Sequence, residues 1–463
     1  MRTLSLALVA LLALPVVAAD FFVGVASVRI TPGKPVQMAG YANRTKPFDR
    51  VDHDLFAKAL AIRDSAGNTG VLITIDICTL GRDVAEPVRQ WVARRTKIDP
   101  GAVLISLSHT HSGPAVSLKG EGADRGSVNP SGPETVAYTY SLQDKLVDVA
   151  ARAVADLKPA TLSWGTGVAS FALNRRQHTD KGVILGNNPR GPVDRSVPVL
   201  RIDGADGKVR AVVFGYACHG TTIPSSSLGL SADFPGYARD VIEARFPGAE
   251  SFFIAGVGGD ANPYPRQQPQ LAALHGKALG EEVCRIVESF PAADGAAGAK
   301  LAPVRGPLKV VTETASLPLD VKTRAELEEI AAKGAGTRKA DAAKMIAALE
   351  RGEALPTTYA AKVSAWQFGQ DLTLIALPNE VVVDYAAALE RAVGPLRLWV
   401  AAYCHDVEGY IPSKRVLREG GYETRGLYIG AGWFAEGVED ALVNAAKTAA
   451  EQAGRTMGTT DGK

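Results

Sequence analysis

Six short apolar runs punctuate the chain, at residues 71–76 (VLITID), 103–107, 209–216, 252–257, 372–377 and 398–402. Each is rich in Val, Ile, Leu or Phe, or carries an aromatic, and each is short enough to be a buried strand. Between them the apolar positions move to helical spacing, as in 86–95 with Val88, Trp91 and Val92, and in 140–157, 235–245 and 271–288. The alternation predicts an α/β fold, with mixed buried β-sheets and flanking helices. Open sheets of this class bind ligands at the carboxyl ends of their strands. His109, the residues after Tyr216, those after Val257 and those after Leu377 occupy that place.

The remaining stretches lack this rhythm. Residues 1–19 carry Arg2, an apolar stretch from Leu4 to Val17 broken only by Ser5, and the small pair Ala18 and Ala19. That layout is expected of a secretory signal peptide, with a mature chain starting near Asp20 and a secreted or periplasmic protein. Its apolar core is too short to span a bilayer, and no later segment offers about 18 consecutive apolar residues. A soluble protein is expected, with peripheral contact to a lipid surface left open. The main domain is expected over 20–453. Within it, 291–300 (PAADGAAGAK) reads as a linker. Residues 322–352 read as a charged helical insertion with Leu327, Ile330, Met345, Ile346 and Leu349 at roughly helical spacing. It is either an amphipathic hairpin on the rim or a lid over a cleft. Residues 454–463 read as a disordered tail.

Composition narrows the class. Hydrophobic residues make up 46% of the 463 positions, enough for a large core. With 51 basic and 49 acidic residues the net charge is +2, so nothing in the charge balance calls for nucleic acid as a partner. Cys78, Cys218, Cys284 and Cys404 include no C-x-x-C pair, which disfavours a thiolate zinc ribbon. They are left as either bridges or buried thiols.

The chemistry concentrates where strands end. Of seven histidines, two fall in the triplet His109-Thr110-His111, followed by Ser112-Gly113-Pro114. In an extended strand residues i and i+2 share a face, so both imidazoles are expected to enter one pocket. His219 follows the run 209–216, Glu380 follows Leu377-Pro378-Asn379, and Tyr410 lies in Glu408-Gly409-Tyr410-Ile411-Pro412. Two imidazoles, a carboxylate and a further oxygen donor make a plausible zinc set, because catalytic zinc takes about three protein ligands and keeps a place for water. A single histidine beside an apolar strand is more often a hydrogen-bonded core residue. His53, His178 and His275 are read as structural or exposed, and His405 as outside the set.

The ordered motifs HTHSGP, ALNRR, ACHGTT, LPNE and EGYIPSKRV...GGYE resemble the neutral ceramidase family, as do Gly24 to Pro32 and Met38-Ala39-Gly40-Tyr41-Ala42 near the start. The matches run from Gly24 to about Glu423. The resemblance implies the fold of that family's catalytic domain and a zinc-dependent amidohydrolase acting on an N-acyl, lipid-like substrate. It implies that His109, His219, Glu380 and Tyr410 bind the zinc, and that His111 works beside it on the oxyanion or as a proton shuttle. Arg175 and Tyr422 are implied to assist. Without the resemblance, Arg175-Arg176 would read as a surface pair or a salt-bridge anchor, and Tyr410 and Tyr422 as packing residues. Asp233 is explained by helix capping at least as well as by catalysis.

One departure stands out. The family's G-D-x-S-P-N segment is here Gly259-Asp260-Ala261-Asn262-Pro263-Tyr264, so Asn262 occupies the position of the serine often assigned as nucleophile. An amide forms no acyl-enzyme. Hydrolysis is therefore expected to use zinc-activated water directly, with Asn262 polarising the substrate carbonyl or positioning a ligand. A metal-dependent hydrolase of an ester or a carbohydrate-linked group, and a secreted binding protein without turnover, stay open as alternatives.

Overall fold

The structure, a computed structural model, describes residues 20–119, 132–289, 301–334, 336–428 and 432–457. The expected signal peptide at 1–19, the linker at 291–300 and positions 458–463 of the expected tail lie outside the described residues. At 454–457 the chain is tied down: Arg455 donates to the Val393, Gly394 and Leu396 carbonyls and to Thr373 Oγ1.

The expected apolar runs are strands Thr69–Ile75, Val103–Leu107, Val209–Tyr216, Glu250–Ala255, Leu372–Pro378 and Leu398–Cys404. They belong to one mixed sheet. Its order is Glu250–Ala255, Val209–Tyr216, Ser196–Gly204, Lys158–Val168, Phe21–Arg29, Phe56–Asp64, Thr69–Ile75, Val103–Leu107, Leu398–Cys404, Leu372–Pro378, Thr358–Phe368, Leu308–Asp320 and Trp433–Phe434. Parallel pairing occurs between 209–216 and 250–255, 69–75 and 103–107, and 372–378 and 398–404.

The sheet curls over on itself. Val213 and Ile254 from one end line a small apolar cavity together with Leu72 and Leu104 from the middle of the sheet and Trp366 and Leu374 from its far half. One face therefore buries against itself as an inner core, and the other is covered by helices. Helix Pro133–Ala155 lies on strands Phe21–Arg29 and Phe56–Asp64, and helix Val438–Gln452 lies on Leu308–Asp320 and Thr358–Phe368. Helix Asp233–Arg245 packs against Pro269–Val287. Side chains that leave water on both faces need no polar alternation, so these strands are continuous apolar runs.

Residues 322–352 form two packed helices, Arg324–Lys333 and Gly336–Glu350, the first opened by a capping box in which Thr323 and Glu326 satisfy each other's backbone donors. Leu327, Ala342 and Met345 bury against Trp433. All four cysteines are buried free thiols.

Candidate metal centre

Strands Val103–Leu107 and Leu398–Cys404 are antiparallel neighbours that pair only where Cys404 faces Ser106, at both carboxyl ends. Both therefore hand their following residues to the same place. His109 lies two residues past the first strand with φ +56, in the left-handed region. Here the structure corrects the pleat argument: the strand stops at Leu107, and a turn, not a shared strand face, brings His109 and His111 together. Thr110 bridges to Gly220, and His111 N donates to Gly220 O at 2.9 Å, which joins this turn to the loop carrying His219. Glu380 and Tyr410 are direct partners in a short parallel pair, which sets carboxylate and phenol side by side.

The donor atoms converge. Glu380 Oε2 is 3.2 Å from His109 Nε2 and 3.0 Å from His219 Nε2, and Tyr410 Oη is 3.3 Å from His219 Nε2. Each of these two imidazoles gives its other nitrogen to a backbone carbonyl: His109 Nδ1 to Cys78 O at 2.7 Å and His219 Nδ1 to Gly258 O at 2.8 Å. An Nδ1–H held this way leaves the Nε2 lone pair for a cation, the usual arrangement of a metal-ligating histidine. Cys78 Sγ also approaches His109, but at 3.9 Å from Nδ1, the nitrogen already committed to a carbonyl. The His109, His219 and Glu380 set thus fits a divalent cation better than the Cys78, His109 and His111 set does.

The electrostatics agree. Burial works against the Glu380 carboxylate, yet His109 and His219 beside it hold it well below the usual carboxylate range. Burial would depress His109, but Cys78 and Glu380 on either side carry it up to about 10. Burial and the Arg175 charge push His219 down to about 3. A buried carboxylate between imidazoles demands a positive charge in the pocket, and a metal cation would take the place of the His109 proton.

His111 differs from its neighbours. Its Nε2 is 3.1 Å from His109 Nε2, but its buried Nδ1 meets no partner among the described residues. No backbone carbonyl fixes its tautomer. Burial, with His109 and His219 adding to it, keeps its pKa well below 6.5.

Arg175, buried on strand Ala172–Thr179, donates to Tyr410 Oη at 3.0 Å, to Asn262 Oδ1 at 3.4 Å and to Glu423 Oε1 at 2.9 Å. Arg176 is buried too and takes the other Glu423 oxygen at 2.6 Å, so the pair is internal rather than a surface feature. Asn262 Oδ1 also accepts from Thr221 Oγ1 at 3.1 Å. With its oxygen held by two donors, Asn262 presents its NH2 group as the remaining polar face. Tyr422 sits at the rim, its ring edge-on to Tyr410 at 5.5 Å and its hydroxyl held by Arg425.

The structure adds residues the sequence pattern does not single out. Tyr428 donates its hydroxyl to Glu380 Oε1, the oxygen turned from the imidazoles. Asp233, read from the sequence as a helix cap, is instead the first residue of its helix, with Ala232 at the N-cap and no side-chain cap bond. Its carboxylate accepts from Thr222 N at 2.9 Å and Ile223 N at 3.2 Å, bracing the loop after His219. His405 points elsewhere, with Nε2 on Ser364 Oγ at 3.0 Å, while His275 stacks on Phe171 and His53 meets Asp240.

The chain is a member of the neutral/alkaline non-lysosomal ceramidase family. The N-terminal part of that family matches residues 21–294, more than half of the chain. Neutral ceramidases A and B of Dictyostelium discoideum are each 26% identical, over 259 and 254 residues, covering 51% and 50% of this chain but 34% of each relative. The chain thus matches about a third of their length. In three dimensions it is similar to neutral ceramidase from Pseudomonas aeruginosa (TM-score 0.68, 18% identity, 96% of this chain and 76% of that one). It is also similar to a ceramidase complexed with C2 (TM-score 0.67, 17% identity, 95% and 76%). The family match carries His109, His111, Arg175, His219 and Asn262, whereas Glu380, Tyr410 and Tyr422 come from beyond it.

Proposed function

We propose that the chain is a zinc-dependent hydrolase of an amide (N-acyl) bond, with ceramide-type lipids as the substrate class, working after export. The observation that carries the reading is the convergence of His109 Nε2, His219 Nε2 and Glu380 Oε2 within 3.2 Å, with both Nδ1 atoms committed to carbonyls. Tyr410 completes the set; burial pushes its hydroxyl well above the ordinary value of 10, and the Arg175 charge only partly offsets that. Family membership supports the substrate class. The leader-like residues 1–19 support export, and no helix among the described residues is long and apolar enough to cross a membrane.

Zinc in this site would supply Lewis acidity and make water nucleophilic near neutral pH. The protein's own groups do the rest. Asn262 offers its NH2 group to the carbonyl oxygen of the scissile amide, where charge develops as water adds. Arg175 holds Asn262 and Tyr410 in register. His111, with neither nitrogen locked to a carbonyl, accepts a proton from the attacking water and returns it to the departing amine. With an amide at position 262, no acyl-enzyme forms and the fatty acid leaves in a single displacement.

Metal content of the purified protein and of its His109→Ala variant, measured by elemental mass spectrometry, tests the site. Release of fatty acid from N-acyl lipids and from matched esters, with and without chelator, tests the reaction. Stoichiometric zinc lost in the variant, with chelator-sensitive amide cleavage, is expected. Absence of zinc after reconstitution would reject the proposal. Asn262 favours one second reading, lipid binding without turnover, which a zinc-loaded protein that binds but never cleaves would select.

A further inference from the structure

The Met38-Ala39-Gly40-Tyr41-Ala42 signature has no part in the chemistry above, yet it crosses the site as a strap. One side is stitched to the chain after His111: Ala39 N donates to Gly113 O at 3.0 Å, and Ala115 N donates to Gln37 O at 2.7 Å. The other side is tied to the loop after His219, through Tyr41 Oη to Ile223 O at 2.8 Å, Asn43 Nδ2 to Ser225 Oγ at 3.0 Å and Arg44 Nε to Ser225 O at 3.3 Å. Arg44 spans the two, since its Nη1 donates to Ala39 O at 3.1 Å and to His111 O at 2.8 Å.

The His111 imidazole lies beneath this strap. The Tyr41 ring meets it edge to face, with centroids 5.1 Å apart. Gly40 has φ +96, and a Cβ there would stand 2.5 Å from His111 Cγ and 2.6 Å from its Nδ1. The backbone of Gly40 therefore covers that part of the ring, where only a residue without a side chain fits. Close contact at Gly40 also accounts for a buried Nδ1 that no donor or acceptor among the described residues reaches.

We propose that Gly40, Tyr41 and Arg44 are positioning residues that aim His111 Nε2 at the reacting atoms, by packing rather than by hydrogen bonding. His109 and His219 are oriented by carbonyls, which also fix where their protons sit. A proton carrier oriented that way would lose its freedom to exchange. Holding His111 by shape and by its own carbonyl, through Arg44, keeps the ring still while committing neither ring nitrogen to a backbone carbonyl. The inference rests on the reading of His111 as the proton carrier.

The test uses the full zinc-loaded chain with Gly40→Ala, and Tyr41→Ala in case the first variant fails to fold. Expected are unchanged zinc content, a kcat lowered about 10- to 100-fold as for a catalytic group displaced by around an ångström, and a KM that moves little. The His111 Cε1–H resonance should shift, Tyr41→Phe should restore most of the turnover lost in Tyr41→Ala, and in a His111→Ala background Gly40→Ala should cost nothing more. Wild-type kcat with an unmoved resonance, or an equal loss in both backgrounds, would overturn the proposal. Wild-type turnover in His111→Ala would instead remove the proton-carrier reading, and the resonance alone would then decide whether the strap aims the ring.

Discussion

What an imidazole can do depends on its second nitrogen. His109 and His219 give theirs to the Cys78 and Gly258 carbonyls, whereas the His111 Nδ1 has no partner among the described residues. His219→Ala and Glu380→Ala are therefore expected to release the metal, measured by elemental mass spectrometry, while His111→Ala keeps it and loses turnover by about 10²- to 10⁴-fold. Zinc retained in full by both ligand variants would contradict the assignment. Asn262→Ala should also keep its metal and lower kcat by about 10²- to 10³-fold, the usual cost of one oxyanion donor. His109, His219 and Glu380 stood out because each lies within three residues of the end of an apolar run, whereas the roles of His111 and Asn262 came from the family resemblance. Tyr428 and Glu423 did not stand out, since a tyrosine or glutamate in a glycine-rich turn carries no periodic signal, and their partners Glu380 and Arg175 lie 48 and 248 residues away.

At the scale of elements, the parallel-paired strands announced themselves as apolar runs, and the helices between them as amphipathic spacing. The long antiparallel strands did not. Lys158–Val168 (KPATLSWGTGV) alternates exposed and buried positions over much of its length, and Ala172–Thr179 ends in three exposed residues, so neither reads as a run. How elements are fastened is also a contact property. Arg239, buried in helix Asp233–Arg245, forks onto both oxygens of Asp76 at 3.0 and 2.5 Å, just past strand Thr69–Ile75. Asp76→Ala would leave that guanidinium unpaired and is expected to cost about 3–5 kcal/mol, read from urea unfolding. A loss below about 1 kcal/mol would place it among exposed ion pairs. Asp406 is pushed up to about 6, mainly by burial, against the partial relief of Arg82. It keeps a proton in the folded state that the unfolded chain gives up from about pH 4. Its favourable share is complete below that pH and lost as pH rises through 6. Stability of Asp406→Asn relative to wild type should therefore improve across this interval, checked by denaturant melts at pH 4.5 and 6.5.

For the molecule as a whole, a cation that binds only the folded state adds stability by mass action, about 2.7 kcal/mol at a hundredfold excess over Kd. Chelator should lower the melting temperature of the native protein, added zinc should restore it, and His109→Ala should respond to neither. The donors come from residues 109, 219, 380 and 410, which follow strands at one end and in the middle of a sheet that curls back on itself. Topologically the ion would be a clasp across two loops of more than a hundred residues each and one of about thirty, closed only after the last third of the chain has docked. A fragment ending near residue 294, where the family match stops, would keep both imidazoles and hold no clasp. Capture of zinc by a growing or refolding chain would therefore mark completion of the tertiary structure, not its beginning.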